Sequence, residues 1–368
     1  MVIIHVLSSF GVGGQERVAL DLAASQVRRG HRVTAVSLAP APDGPLAAEF
    51  RAAGAEVLRV AKGPGTDASL VPRLALAFRW RKADVVHTHN PLPLIYGAPA
   101  ARVAGAAAIH TKHGINPGSR AQRFVRRQAA KLVSSFVAVS PVTAQQARTL
   151  GDVSEHRLVV IPNGIRLDQF GPDPAARAAI RAELGIADDA IVVGTVGRLD
   201  EFKNQTLLLA AIAPLLGPRV QVVFVGDGPT RAELERAVAA LPDPSRAHVL
   251  GRRMDVPRLL PAFDVFCLSS KSEGLPLVVP EAMASGLPVV STAVGGIPGV
   301  VDDGATGRLT AVDEGELRAA LRALIDDPAR ARAMGERARA VALERYSAER
   351  MTDDYLLLYE RAVKHQRR

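Results

Sequence analysis

The chain carries a single cysteine, Cys267, inside the apolar run Val265-Phe266-Cys267-Leu268. An internal disulfide is excluded, and a buried structural thiol is expected. Aromatic residues supply 4% of the 368 positions while hydrophobic residues as a whole supply 48%, so the cores must be built from Val, Leu, Ile and Ala. No Asp-x-Asp occurs, which removes the familiar carboxylate pair for a divalent cation beside a nucleotide. The first glycine turn, Gly11-Val12-Gly13-Gly14, lacks the G-x-G-x-x-G spacing, and the next apolar run ends in Ser37-Leu38-Ala39-Pro40 with no acid to hold a ribose, so a nicotinamide cofactor is not expected. The longest apolar stretch, Pro91 to Ile109, is broken by Pro93, Pro99 and Arg102 and reads as a buried helix, not a membrane span. Neither a basic leader nor a small-residue cleavage site precedes the run Val2–Leu7, so no signal peptide is expected and the chain is placed in the cytosol.

Carboxylates are also missing between Asp84 and Asp152, where Lys112, Arg120, Arg123, Arg126, Arg127 and Lys131 all fall. Residues 1–165 hold 20 Lys and Arg against 9 Asp and Glu, and residues 166–368 hold 26 against 28. The net charge of +9 therefore belongs to the first half and points to an anionic partner or surface. Nucleic acid is not expected, because no recognised binding motif is present and aromatics are sparse.

What is present is a chain long enough for two domains, each with its own core. Residues 2–7 form an unbroken apolar run, followed by the glycine turn, a helix over about 15–29 stopped by Gly30, and a strand over 32–38. This β–α–β unit begins a doubly wound parallel sheet. Further strands are expected over 56–60, 84–87, 107–111, 136–139 and 158–161. The looser region 166–189, with Gly171-Pro172-Asp173-Pro174, is assigned as the interdomain linker. A second series follows, with strands over 191–196, 221–225, 248–250, 265–268, 288–291 and 307–309, helices over 204–216 and 230–240, and helical, charged sequence from about Leu317. The expected fold is α/β, with two Rossmann-like doubly wound parallel-sheet domains facing across a cleft: residues 1–165, residues 166–345, and a C-terminal helix, 346–368, packing back toward the first domain. Ligand crevices in such sheets lie at the carboxyl ends of the strands.

The stretch Ser272–Pro288 has only two charges, Glu273 and Glu281. Pro280 fits the first position of a short helix and Gly286 its stop, which puts Glu281 in the first turn and Glu273 in the loop before it. Gly274-Leu275-Pro276-Leu277 between them can turn bare backbone N–H groups toward an anion. The plain alternative is a capped loop and helix with Glu281 favoured by the helix dipole. Arg198 and Lys203, in G-R-L-D-E-F-K-N at the mouth of a strand, could neutralise a diphosphate, or could be solvated charges answering Asp200 and Glu201. His87 and His89 resemble a zinc pair, but no third ligand is spaced for it, so a hydrogen-bonded strand end is expected. The basic helix over 119–132 places Arg120, Arg123, Arg127 and Lys131 along one side, with Phe124 and Leu132 toward another. It could lie on anionic lipid or hold a lipid-diphosphate acceptor, or be an ordinary solvated helix.

Taken in order and spacing, Gly13-Gly14-x-Glu16, His113-Gly114, Pro162-Asn163-Gly164, Gly197-Arg198-Leu199 with Lys203, Val225-Gly226-Asp227-Gly228-Pro229 and Glu273-x7-Glu281 resemble family 4 of the retaining GT-B glycosyltransferases over nearly the whole chain. The resemblance implies a GT-B fold, an N-terminal acceptor domain and a C-terminal nucleotide-sugar domain. It implies that Glu281 takes the ribose hydroxyls, Glu273 the hydroxyls of the transferred sugar, and Arg198 and Lys203 the diphosphate, helped by backbone N–H groups of Gly274, Leu275, Leu277 and Val278. His113 matches a histidine beside the transferred sugar, and Gly13 and Gly14 the loop near the phosphates. Gly228 falls in the nucleotide-binding set, and Arg253 and Met254 fall, on a looser match, where the family packs the base. Gln15 occupies a variable position of the motif. The implied catalytic set is Glu273, His113, Arg198 and Lys203, with no metal or other cofactor. The implied reaction moves a hexose from a UDP- or GDP-linked donor to an acceptor glycan, lipid or small molecule, as in cell-envelope polysaccharide synthesis, at a cytoplasmic site or the inner membrane face. A sugar-nucleotide epimerase, a phosphorylase and a catalytically silent carbohydrate-binding protein remain the alternatives.

Overall fold

The computed structural model describes residues 1–114 and 118–366. The chain divides into two compact units: Met1–Ile165 together with Ala348–Arg368, and Arg166–Ser347.

In the first unit β1 (Val2–Leu7), β2 (Arg32–Ser37), β3 (Glu56–Arg59), β4 (Val85–His89), β5 (Ala107–Lys112), β6 (Ser135–Ala138) and β7 (Leu158–Val160) alternate with α1 (Gly14–Arg28), α2 (Leu46–Ala52), α3 (Leu70–Trp80), α4 (Pro91–Ala104), α5 (Arg120–Ala130) and α6 (Pro141–Leu150). The strands pair in parallel in the order β3-β2-β1-β4-β5-β6-β7. Both faces of the central strands are covered, which is why β1 reads as a continuous apolar run. Ile4, Val6, Val36, Val86 and Ala108 point to one face, under α3 and α4. Leu7, Val33 and Ala35 point to the other, under α1 and α2. On that second face the middle of the sheet is polar. His5, His87, His89 and Thr111 are all buried there, and the C-terminal helix, Ala348–Gln366, brings its buried Tyr355 and Tyr359 against them. Phenol and imidazole groups satisfy one another, so a polar strip is tolerated inside the unit.

The second unit repeats the plan. Its elements are α7 (Pro174–Leu184), β8 (Ile191–Val196), α8 (Gln205–Ile212), β9 (Val220–Val225), α9 (Arg231–Ala239), β10 (Ala247–Val249), α10 (Val256–Leu259), β11 (Val265–Leu268), α11 (Val278–Ala284), β12 (Val289–Thr292), β13 (Gly307–Thr310), α12 (Glu314–Ile325) and α13 (Pro328–Arg345). The terminal helix, Ala348–Gln366, is α14. The strand order is β10-β9-β8-β11-β12-β13, again parallel. Each sheet therefore reverses its winding once, between β1 and β4 and between β8 and β11, and a crevice at the carboxyl ends of the strands is expected at each reversal. Cys267 lies in the core beneath α8 and α12, and burial pushes its thiol pKa up, which keeps it protonated and inert.

Three sequence expectations change. The region assigned as linker contains α7, whose Asp173 side chain accepts from the amides of Ala175 and Ala176, with Pro174 at the first helical position and Gly185 as the left-handed stop. Gly-Pro-Asp-Pro is thus a helix cap, which uses the same residues as a loop. Pro91–Ile109 is α4 followed by the start of β5, not one helix. Helix α11 begins at Val278, so Pro280 is its third residue; no amide in the first turn has a partner within the helix, and proline is tolerated there as well as at the first position.

Arg181 locks the second unit from inside. It is 1% exposed; its guanidinium pairs with Asp264 at 2.7 Å and donates to the carbonyls of Ala262, Ala187, Asp188 and Ala190 at 2.9–3.1 Å. Asp264 also accepts from the Val192 amide at 2.8 Å, so one ion pair ties α7 to the starts of β8 and β11. Arg181→Met leaves four carbonyls and a carboxylate short of a donor and is expected to destabilise the second unit by about 3 kcal/mol in urea unfolding. An unchanged midpoint would show that the pair contributes nothing net.

Candidate functional site

In the second unit the candidate residues converge at the ends of β8 and β11. After β8 the chain turns at Asp200, whose Oδ1 accepts from the amides of Phe202 (3.0 Å) and Lys203 (2.9 Å). Ser269, just past β11, fastens the far end of the turn by donating to the carbonyls of Lys203 (3.2 Å) and Asn204 (2.9 Å). Lys203 is thereby aimed across the reversal point, and its Nζ meets Glu273 Oε1 at 2.6 Å. Ser270 donates to the same oxygen at 2.6 Å. Glu273 is 9% exposed, so this pair is largely withdrawn from water. Arg198 is left open: its side chain is 70% exposed, with only a 3.6 Å approach to Asp200.

The backbone around Glu273 is pinned by a turn that sequence reasoning missed. Gly295, at φ +56°, follows β12, and a Cβ there would lie 1.8 Å from the Glu273 carbonyl oxygen. The next residue, Gly296, donates to the Gly274 carbonyl at 2.8 Å. A glycine pair three residues past the end of a strand was the available signal. Leu275 and Leu277 turn their side chains inward, while Gly274 and Val278 are half-buried. Glu281 sits half-buried in the first turn of α11. Gly228 has an internal cause, since a Cβ there would lie 2.2 Å from the Leu199 carbonyl oxygen. Arg253 is committed elsewhere: its guanidinium holds Asp255 at 2.8 Å and Glu183 at 2.6 Å, both of which push its pKa further up. Met254 beside it is exposed.

In the first unit the glycine turn leads into α1. Gly13 is its cap in an extended conformation, and a Cβ on Gly14 would meet nothing within 4 Å, so the fold itself makes no demand for glycine at 14. Gln15 and Glu16 share a hydrogen bond, and Gln15 Oε1 also accepts from Asn90 Nδ2. Burial raises the pKa of Glu16. Asn90, at φ +67°, accepts from the His113 amide at 3.1 Å. A network therefore joins the glycine turn after β1, the end of β4 and His113 after β5. Gln15, read as a variable position, is one of its members.

His87 and His89 do have a third imidazole near them, which corrects the expectation that none is available. His5 lies on the neighbouring strand β1, and one nitrogen from each ring falls within 4.8 Å of the others. Every one of those nitrogens is already engaged. His87 bonds Tyr359 OH (2.6 Å) and Thr111 Oγ1 (2.7 Å), His5 bonds Gln26 (2.8 Å) and His89 (3.0 Å), and His89 also bonds His113 (3.0 Å). With all six ring nitrogens so engaged, the strip is a hydrogen-bonded strand end. On the basic helix α5, Phe124 is 61% exposed beside Arg120, Arg123 and Arg127, whereas Arg126 is buried and faces inward. Among the described residues no helix is long and apolar enough to cross a membrane.

The comparisons with known proteins cover both units. The family model for Glycosyltransferase Family 4 matches residues 12–169, and that for Glycosyl transferases group 1 matches residues 176–341. The chain is 32% identical to a D-inositol 3-phosphate glycosyltransferase of Geodermatophilus obscurus, over 95% of this chain and 85% of that one. It is 34% identical to the putative glycosyltransferase EpsF of Bacillus subtilis over 219 residues, 56% of either chain. Among solved structures, Anabaena HepE in complex with UDP and glucose superimposes with a TM-score of 0.87 at 25% identity, covering 98% of this chain and 99% of that one.

The buried histidines of the strip, with His110 on the other face of β5, make the first unit acid-sensitive. Burial lowers the pKa of His5 to about 4 and of His110 and His113 to about 3, and holds His87 and His89 well below 6.5, with neighbouring imidazoles adding to the effect for the last two. Above pH ~6.5 these rings are neutral whether folded or unfolded, so their packing is fully stabilising. Below it the unfolded chain takes up protons that the folded chain refuses until pH approaches 4 to 3. Stability is expected to fall as pH drops from ~6.5, by up to about 1.4 kcal/mol per pH unit for each histidine. Hydrogen exchange of the β1, β4 and β5 amides in urea at pH 7.5 and 5.5 measures it; equal protection at both would contradict the assigned neutral state.

Proposed function

This chain belongs to the family 4 glycosyltransferases of the GT-B fold, and from that premise we propose that it moves a hexose from a UDP- or GDP-linked donor to a hydroxyl of a phosphate-bearing acceptor. The transfer proceeds with retention at the anomeric carbon and without a metal. The observation that carries this reading is the Lys203–Glu273 contact of 2.6 Å at the reversal point of the second sheet. An ammonium group has three N–H donors, and Glu273 uses one, which leaves two for phosphate oxygens. Glu273 takes Lys203 and Ser270 on Oε1, and its Oε2 is outside both bonds and suited to accept from sugar hydroxyls. The pair thus sets a cation for the diphosphate beside a carboxylate for the sugar, the two ends of the bond to be broken.

Breaking that bond leaves negative charge on the diphosphate and positive charge on the sugar. Stabilising the departing anion is the larger service, and cations already in place supply it without reorganisation. Arg198, exposed and held only loosely, is the second cation and can fork onto two oxygens. Glu281 in the first turn of α11 is assigned to the ribose hydroxyls, and His113 to the transferred sugar. The acceptor is assigned to the first unit, whose excess of Lys and Arg suits an anion, as does the inositol phosphate in the name of the Geodermatophilus relative. The cations and exposed Phe124 of α5 fit the surface of an anionic membrane.

A panel of nucleotide sugars, read by hydrolysis, tests the donor. With the donor it selects, Glu273→Ala is expected to lower transfer by at least ~100-fold while the protein stays folded, and Lys203→Met to weaken binding of the free nucleoside diphosphate by about tenfold. EDTA is expected to leave the rate unchanged, and the product to keep the anomeric configuration of the donor. Near-normal turnover in Glu273→Ala would sink the assignment. For α5, sedimentation with vesicles containing anionic lipid is expected to exceed that with neutral vesicles and to be lost on replacing Arg120, Arg123 and Arg127 by Gln. Binding indifferent to lipid charge would remove the membrane reading.

A further inference from the structure

One unbroken line of hydrogen bonds crosses the first unit from α1 to the residue after β5. Gln26 Oε1 lies 2.8 Å from His5 Nε2, His5 Nδ1 lies 3.0 Å from His89 Nε2, and His89 Nδ1 lies 3.0 Å from His113 Nε2. A neutral imidazole has one N–H and one bare nitrogen, so the protons of such a line must all point the same way. The orientation of the Gln26 amide sets which way: its Oε1 faces His5 while its Nε2 is buried without a partner among the described residues, and in this orientation His5 donates from Nε2 and offers Nδ1 as a lone pair. His89 then donates from Nε2 and accepts at Nδ1, and His113 donates from Nε2. At the far end His113 Nδ1 is shielded from water and makes no hydrogen bond among the described residues.

We propose that Gln26, His5 and His89 are positioning residues that hold His113 as its Nε2–H tautomer, so that Nδ1 stands as a bare lone pair to receive a hydroxyl of the bound sugar or acceptor. The hydroxyl rests on the glycosyl-transfer reading; the tautomer does not. Burial keeps these imidazoles neutral at physiological pH, which is the condition for the line to have a single direction. The line is closed to net proton transport. A proton entering at His113 Nδ1 would displace one along each ring to the Gln26 amide oxygen, which is too weak a base to keep it. His113 accordingly orients a hydroxyl by accepting its hydrogen bond and does not act as a base that passes the proton inward. A buried polar atom without a partner is costly, and a hydroxyl arriving at Nδ1 would relieve that cost only when ligand is bound.

The tautomer can be read in the full-length protein without substrate. With 15N-labelled histidine at pH 7.5, two-bond 1H–15N correlations are expected to show the proton on Nε2 of His5, His89 and His113. Gln26→Met is expected to give mixed tautomers at His113 and a kcat roughly tenfold lower, with KM for the nucleotide sugar unchanged. His113 protonated on Nδ1 in the parent protein, or a Gln26→Met protein with the Nε2–H pattern intact, overturns the proposal. An Nε2–H His113 with kcat unaltered in Gln26→Met overturns the positioning role. Failure of every nucleotide sugar to react would refute the glycosyl-transfer reading while leaving the tautomer pattern in place.

Discussion

The contact between Lys203 and Glu273 is the constraint on which the second unit's site depends, because it joins the loops after β8 and β11 across the point where the sheet reverses its winding. A parallel sheet with helices on both faces has no choice about where it is open: only the carboxyl ends of its strands are free of crossover connections, and only at the reversal do neighbouring loops diverge. Two loops placed there can hold opposite charges close together, provided each backbone is rigid. Asp200 and Ser269 stiffen the lysine side, and Ser270, Gly295 and Gly296 stiffen the glutamate side. The pair is then presented at low exposure, where its charges act more strongly than they would in water.

The first unit solves a different problem with the same fold. Its middle strands carry histidines where the second unit carries Val and Phe, and α14 covers them with two tyrosines rather than with aliphatic side chains. Rings that in water would take up a proton below pH ~6.5 are kept neutral by burial and are satisfied by one another. The arrangement makes the imidazoles a structural continuum reaching from α1 to His113, and it makes that unit's stability dependent on their staying unprotonated. Asn90 adds a second tether by taking the His113 amide, so both the backbone and the ring of that residue are held from within the fold.

Much of the fold was legible in the sequence because apolar runs at regular intervals, with glycine turns after them, admit few architectures. The strands appear within one or two residues of their expected bounds. The false linker shows the limit: Gly-Pro-Asp-Pro specifies a break in the preceding structure, and the same residues cap a helix when a solvent-shielded partner such as Asp264 waits for Arg181. At the candidate site, the rare charges Glu273, Glu281, Arg198 and Lys203 stood out in the sequence, but that Lys203 meets Glu273 did not. Nothing local reveals that Glu183, 70 residues before Arg253, shares its guanidinium with Asp255.

The sequence by itself determined the two parallel-sheet units and the division of charge between them, since these follow from local period and composition, while its motifs carried the resemblance to the family. Only the tertiary structure decided which charges meet. Lys203 finds Glu273, Gly295 supports it, His5 joins His89 and His113, and Gln26 closes that line, because each contact links residues brought together by the strand order and not by their distance along the chain.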